Sequence, residues 1–165
     1  ISYGLVQMTR VTHEGLQGIF GEQTTGTIEP DFAGHTSMEQ QLLNGQLLAL
    51  SSLRAFKKMA DEQPKFIKVF EKANDEEKAE FVAVIVAAYH NYGSGIALRT
   101  AIQKSIQGKR RTLAQYTNGI IANMASLPAA QTYARNSRLL CRAAHDRFAK
   151  TKKDIAQADA GYIKK

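Results

Sequence analysis

Only three prolines interrupt the chain, Pro30, Pro64 and Pro128. Proline lacks a backbone N–H and its ring clashes with the preceding turn, so it marks where long helices must stop or start. The stretches on either side of Pro64 and Pro128 are therefore open to helix, and their apolar spacing uses that freedom. Thr36 and Glu39 have the spacing of a capping box. Met38, Leu42, Leu43, Leu50, Leu53, Phe56 and Met59 follow at intervals near three and four as far as Asp61. Pro64 suits the first turn of a short helix, PKFIKVFEKA, with Phe66, Ile67 and Phe70 on its inner side. Asn74 and Glu77 signal the next cap, and Asp75, Glu76 and Glu77 place negative charge at the positive end of that helix.

This helix runs through FVAVIVAAY to the break Gly93-Ser94-Gly95. A further helix, IALRTAIQKSIQ, is expected to end on Gly108 as a left-handed cap. Thr112 caps a helix bearing Leu113, Tyr116, Ile120, Met124 and Leu127, and Pro128 opens a last long one. Residues 1–36 are different. Six glycines, Gly4, Gly15, Gly18, Gly21, Gly26 and Gly34, break any single long helix there. ISYGLVQMTRVT reads as a strand and TTGTIEP as a short partner or extended arm. The expected fold is all-α: a bundle of about five to six helices over residues 37–165, with a glycine-rich, partly extended N-terminal arm over residues 1–36 that docks on a neighbour.

The final helix has two distinct rows. Leu127, Ala130, Ala134, Ser137, Cys141, Ala144, Phe148, Thr151, Ile155, Ala158 and Tyr162 alternate at three and four, as a packed seam requires. Arg135, Arg138, Arg142, His145 and Lys152, flanked by Lys153, form a basic row that spans about 25 Å at the rise of an α-helix.

Charge is divided along the chain. The whole carries +7, yet residues 1–98 hold 8 Lys+Arg against 12 Asp+Glu and residues 99–165 hold 14 against 3. The basicity belongs to the C-terminal part, and such asymmetry points to a polyanionic partner.

Several chemistries lack their parts. The uninterrupted apolar run Phe81–Tyr89 is far short of the ~20 residues a spanning helix needs. His13, His35, His90 and His145 show no HxxxH or HExxH spacing, and Cys141 with His145 supplies two ligands where zinc takes three or four. The single cysteine excludes an internal disulfide framework and fits a reducing compartment. The glycines follow neither GxGxxG nor GxxxxGK[ST]. Asp61-Glu62 and Glu76-Glu77-Glu80 sit at helix ends, where capping and solvation account for them. The opening residues show no basic segment followed by an apolar one, so no signal peptide is legible in the sequence given.

No catalytic residue, metal site, cofactor or small-molecule substrate is expected, and the reading is a non-enzyme. In size, charge and helical content the chain resembles small helical subunits of nucleoprotein machines, such as those of CRISPR effector complexes, or helical virion proteins. The expected role is to line nucleic-acid backbone, without sequence specificity, inside a larger assembly in the cytoplasm or a virion. Arg99, Lys104, Lys109, Arg110, Arg111, Arg135, Arg138, Arg142, Lys152 and Lys153 would be the phosphate contacts, since spaced guanidinium forks suit consecutive phosphates. The arm and the small-residue seam would meet other subunits. Two other roles compete: a structural assembly protein whose basic face pairs with acidic protein surface, and a membrane-active toxin domain using residues 81–98.

Overall fold

The computed structural model describes residues 2–3, 8–25, 37–93 and 95–162, with side chains over 10–25, 37–93 and 95–153. Two compact units, Ile1–Ala55 and Phe56–Lys165, make up the chain. The boundary expected after residue 36 lies at the edge of residues 26–36, outside the described ones; the division between the two units falls within a helix. Among the described residues there are eight helices rather than five to six, because the glycine-rich segment contributes two of its own.

The first unit opens with a minimal antiparallel ladder. Strand β1 (Ser2–Tyr3) pairs with β2 (Met8–Thr9), Ser2 opposite Thr9. The strand expected to continue through Thr12 stops at once, and α1 (Arg10–Phe20) takes over. Gly15 and Gly18 are tolerated inside this helix. Gly21, at φ 82°, ends it in the left-handed region that glycine adopts without strain, and its N–H bonds the Gln17 carbonyl at 2.8 Å. The one-turn helix α2 (Glu22–Thr25) follows, so most of the described residues of the expected arm are helical; the rest of TTGTIEP lies outside the described residues.

Polar groups tie these turns to the long helix α3 (Met38–Ala60). The Thr25 carbonyl accepts from His13 Nε2 at 2.9 Å and from Asn44 Nδ2 at 3.0 Å, all three residues being buried. Satisfying that carbonyl turns the Asn44 face of α3 inward. Met38, Leu42 and Leu50, expected to be buried, are consequently exposed. The α3 cap also differs from expectation: Ser37 Oγ accepts from the Gln40 N–H at 3.2 Å, whereas Thr36 lies outside the described residues.

The second unit holds the last turn of α3 with α4 (Pro64–Lys72), α5 (Asp75–Tyr92), α6 (Ile96–Ile106), α7 (Leu113–Asn123) and α8 (Pro128–Tyr162). Its starts follow the sequence signals. Pro64 occupies the first turn of α4, Asn74 Oδ1 accepts from the Glu77 N–H at 2.8 Å, and Thr112 Oγ1 accepts from the Gln115 N–H at 3.2 Å. One stop does not follow them. Gly108 is not in the left-handed region; α6 closes at Ile106 and the Gly108 carbonyl accepts from the Tyr116 hydroxyl at 2.9 Å.

Aromatic rings fill the centre. Phe66, 2 % exposed, meets Phe56 at 5.7 Å, Phe81 at 5.4 Å and Tyr116 at 5.1 Å between centroids, two of these contacts edge-to-face. Val84, Ile85, Ala88, Leu98, Ile102 and Ile120 extend this core along α5, α6 and α7. No helix among the described residues is long and apolar enough to cross a membrane. Replacing the central ring, Phe66→Ala, is expected to cost ~3–5 kcal/mol of unfolding free energy in guanidinium titrations. Phe148→Ala, on a ring 73 % exposed, should stay within about 0.5 kcal/mol of wild type.

Candidate nucleic-acid interface

Helix α8 lies antiparallel to α5, and small residues let it approach: Ala130 and Ala134 are fully buried on the contact side. The charges fix its register. Glu80, on the second turn of α5 and 7 % exposed, receives Arg138 Nε at 2.8 Å and Arg142 through both Nε and Nη2, the latter at 2.9 Å. Arg138 Nη1 reaches on to Asn118 Oδ1 of α7 at 2.5 Å. One turn further, His145 Nδ1 stands 3.8 Å from Glu76 Oε1. Glu80 was read as part of a solvated helix end; it is instead a buried carboxylate shared by two arginines.

Burial pushes the Glu80 carboxyl up, but the hydrogen bonds from Arg142 and Arg138 and their positive charges outweigh it and hold it below the usual glutamate range. Arg142 is pushed up in return, chiefly by its hydrogen bond to Glu80.

Between α7 and α8 these side chains border a groove of about 280 Å³, lined by Asn118, Ile121, Arg135, Arg138, Leu139 and Arg142. Three expected site residues are thus brought together, but in different states. Arg138 is 14 % exposed and Arg142 is 46 % exposed, both engaged by Glu80. Arg135 is exposed and has no carboxylate partner among the described residues.

A second groove, of about 300 Å³, opens where α4 ends and α7 begins. Arg111 lines it with Lys68, Lys72 and Glu77. Lys68 and Lys72 were missed because they belong to the half of the chain that is acidic by tally; their i,i+4 spacing was the available signal. Lys109 is exposed in the α6–α7 link. Arg110, its neighbour, is folded back: its Nε is buried, and its guanidinium fills the space over Gly119, where a Cβ would fall 2.3 Å from Nη2. Lys104 and Arg99 are exposed on α6, and Arg99 stands apart near that helix's first turn. Lys152 and Lys153 are exposed where α8 has run past the start of α5.

The seam expected along α8 holds only over its first half. Ser137 and Cys141 are half-buried, Ala144, Phe148 and Thr151 are exposed, and the side chains of Ile155, Ala158 and Tyr162 lie outside the described ones. No α5 residue remains to cover it beyond His145. His90, half-buried on α5, has its pKa pushed down by burial. Among the described residues no three His, Cys, Asp or Glu side chains are grouped to hold a metal ion.

Comparison with family models, curated proteins and solved structures finds no match to this chain. Geometry alone has to supply the function.

The Glu80 anchor has a pH signature. Its folded pKa lies below the unfolded one, so its stabilisation is complete above the ordinary glutamate pKa and is lost as the pH falls through the folded value. Glu80→Ala leaves Arg138 buried without its carboxylate and should cost about 3 kcal/mol, the low end for a broken buried pair because Arg142 stays half in water. Urea unfolding at neutral pH checks the loss; its difference from wild type should shrink on acidification.

Proposed function

We propose that this chain is a non-catalytic helical subunit that contacts nucleic-acid backbone, without reading bases, within a larger assembly. One observation supports it above the others. Arg99, Lys104, Lys109, Arg111, Arg135, Lys152 and Lys153 are exposed, and none has a carboxylate partner among the described residues. Exposed cations that the fold leaves uncompensated raise the local concentration of a polyanion and release its counterions on contact. Lys68 and Lys72 join the set through the groove they share with Arg111. Arg138 and Arg142 contribute less directly, since Glu80 holds one edge of each.

A second reading, a structural assembly protein, draws on the Glu80 pairing, in which these arginines donate to a protein carboxylate. Exposed Phe148 beside the basic row, and exposed Leu140 on the opposite face of α8, would serve protein contacts in either case.

Fluorescence anisotropy with a labelled oligonucleotide decides between them. Binding should weaken steeply with salt, log K falling by about 0.7 per contacted phosphate on a single strand and about 0.9 on duplex for each unit of log salt. The triple variant Lys109→Glu, Arg111→Glu, Arg135→Glu should lose at least about tenfold in affinity and flatten that slope. No binding at low salt, or affinity indifferent to the triple variant, would overturn the proposal.

A further inference from the structure

Three guanidiniums face the α7–α8 groove, and one carboxylate answers them. Arg135, Arg138 and Arg142 line it together, while Glu80 bonds the second and third from beneath. Glu76 and Asp146 also act on Arg142, but neither lines the groove. The lining itself thus holds three guanidiniums and no carboxylate, since Glu80, like Glu76 and Asp146, acts from outside it. A phosphodiester link carries one negative charge; a phosphomonoester, whose second pKa is ≈ 6, carries nearly two at neutral pH. A lining of three guanidiniums without a carboxylate favours the more highly charged monoester.

The donors are arranged for it. A guanidinium has five N–H donors in a rigid fork. Arg142 gives Glu80 its side edge, Nε and Nη2, which leaves the end-on edge to the groove. Arg138 is fixed from two sides, by Glu80 and by Asn118 Oδ1. Arg135 spends no donor on a carboxylate and lies two turns before Arg142 on the same face of α8. Two of the three forks are thus held before any ligand arrives, so little side-chain ordering remains to oppose binding. The walls differ in kind: Ile121, 8 % exposed, gives an apolar floor and Leu139, 62 % exposed, an apolar side, where the organic part of a phosphate ester can rest.

We propose that this groove is a binding site for a phosphomonoester, held by the fork of Arg135 and the end-on edge of Arg142, with Arg138 and Glu80 as positioning residues. The inference rests on the polyanion reading in one respect: the terminal phosphate of a strand is one source of such a group, and a free nucleoside monophosphate is the other.

Two versions of one short single strand, with and without a 5′-phosphate, and a nucleoside monophosphate are titrated into the full chain, with backbone amide shifts followed by NMR. The phosphorylated strand should bind about tenfold tighter than the other, as bidentate charge-assisted bonds imply. Amides of Asn118, Ile121 and Leu139 should move with it. Arg135→Gln, at an exposed position with no carboxylate partner among the described residues, should erase the difference between the two strands while leaving the fold in place, the unphosphorylated strand losing no more than the one backbone contact that Arg135 makes. Arg135→Lys, which keeps the charge but loses the fork, should restore only part of it. If the nucleoside monophosphate shifts these amides while neither strand binds, the groove stands, its ligand is a free nucleotide, and the polyanion reading falls. If both strands bind equally and the monophosphate leaves these amides unmoved, the polyanion reading stands and the groove proposal is overturned. Shifts confined to Lys68, Lys72 and Arg111 would overturn it as well.

Discussion

Burying a carboxylate is costly unless the surroundings return what water supplied, and Glu80 is buried between α5 and α8. Everything that α8 does follows from how that cost is met. Arg138 and Arg142 are four residues apart, so both reach the same carboxylate from one face of the helix, and only one alignment of α8 on α5 allows it. A one-residue shift would rotate both side chains by about 100° and bring Ser137 and Cys141, or Leu139 and Ala143, to the carboxylate instead. Apolar contacts along a seam of alanines are permissive about register; a shared ion is not. The arginines' outward edges, and the freedom of Arg135 beside them, are consequences of that alignment.

The aromatic cluster supplies a different constraint. Phe66 brings α4 against Phe56, Phe81 and Tyr116, which stand on α3, α5 and α7. Tyr116 then spends its hydroxyl on the Gly108 carbonyl and so draws the α6–α7 link inward. This link carries Lys109, Arg110 and Arg111, so a ring contact in the core decides which of three consecutive cations face out. Two do, and Arg110 is turned over Gly119.

Most helices were legible because their signals are local. Asn74, Thr112 and Pro64 mark starts through groups within a turn of themselves, and Phe81 to Tyr89 is too short an apolar run to span a membrane as one helix. What escaped the sequence was settled at long range. The role of Glu80 depends on partners about sixty residues away, and nothing beside it distinguishes it from Glu76 or Glu77. The inward turn of Asn44 depends on a carbonyl in another helix, which is why Met38, Leu42, Leu43 and Leu50 stand exposed while Phe56 and Met59 of the same row are buried as expected. The first helix was lost to a weak inference: Gly15 and Gly18 lower helix propensity, yet a buried Leu16 and His13 are enough to hold α1. Among the basic residues, type and spacing were visible, but which charges the fold consumes was not.

Helix α8 continues as helix after α5 has ended, with every described side chain from Arg142 to Lys153 exposed. Nucleating a helix is costly while extending one is cheap, so the packed half serves as the seed from which this overhang grows. Its hydrogen bonds inherit their persistence from neighbours rather than from contacts of their own, and protection against amide exchange should decline from His145 outward. The overhang thus borrows its helical order from the root it grows from, and opening its end costs the core nothing.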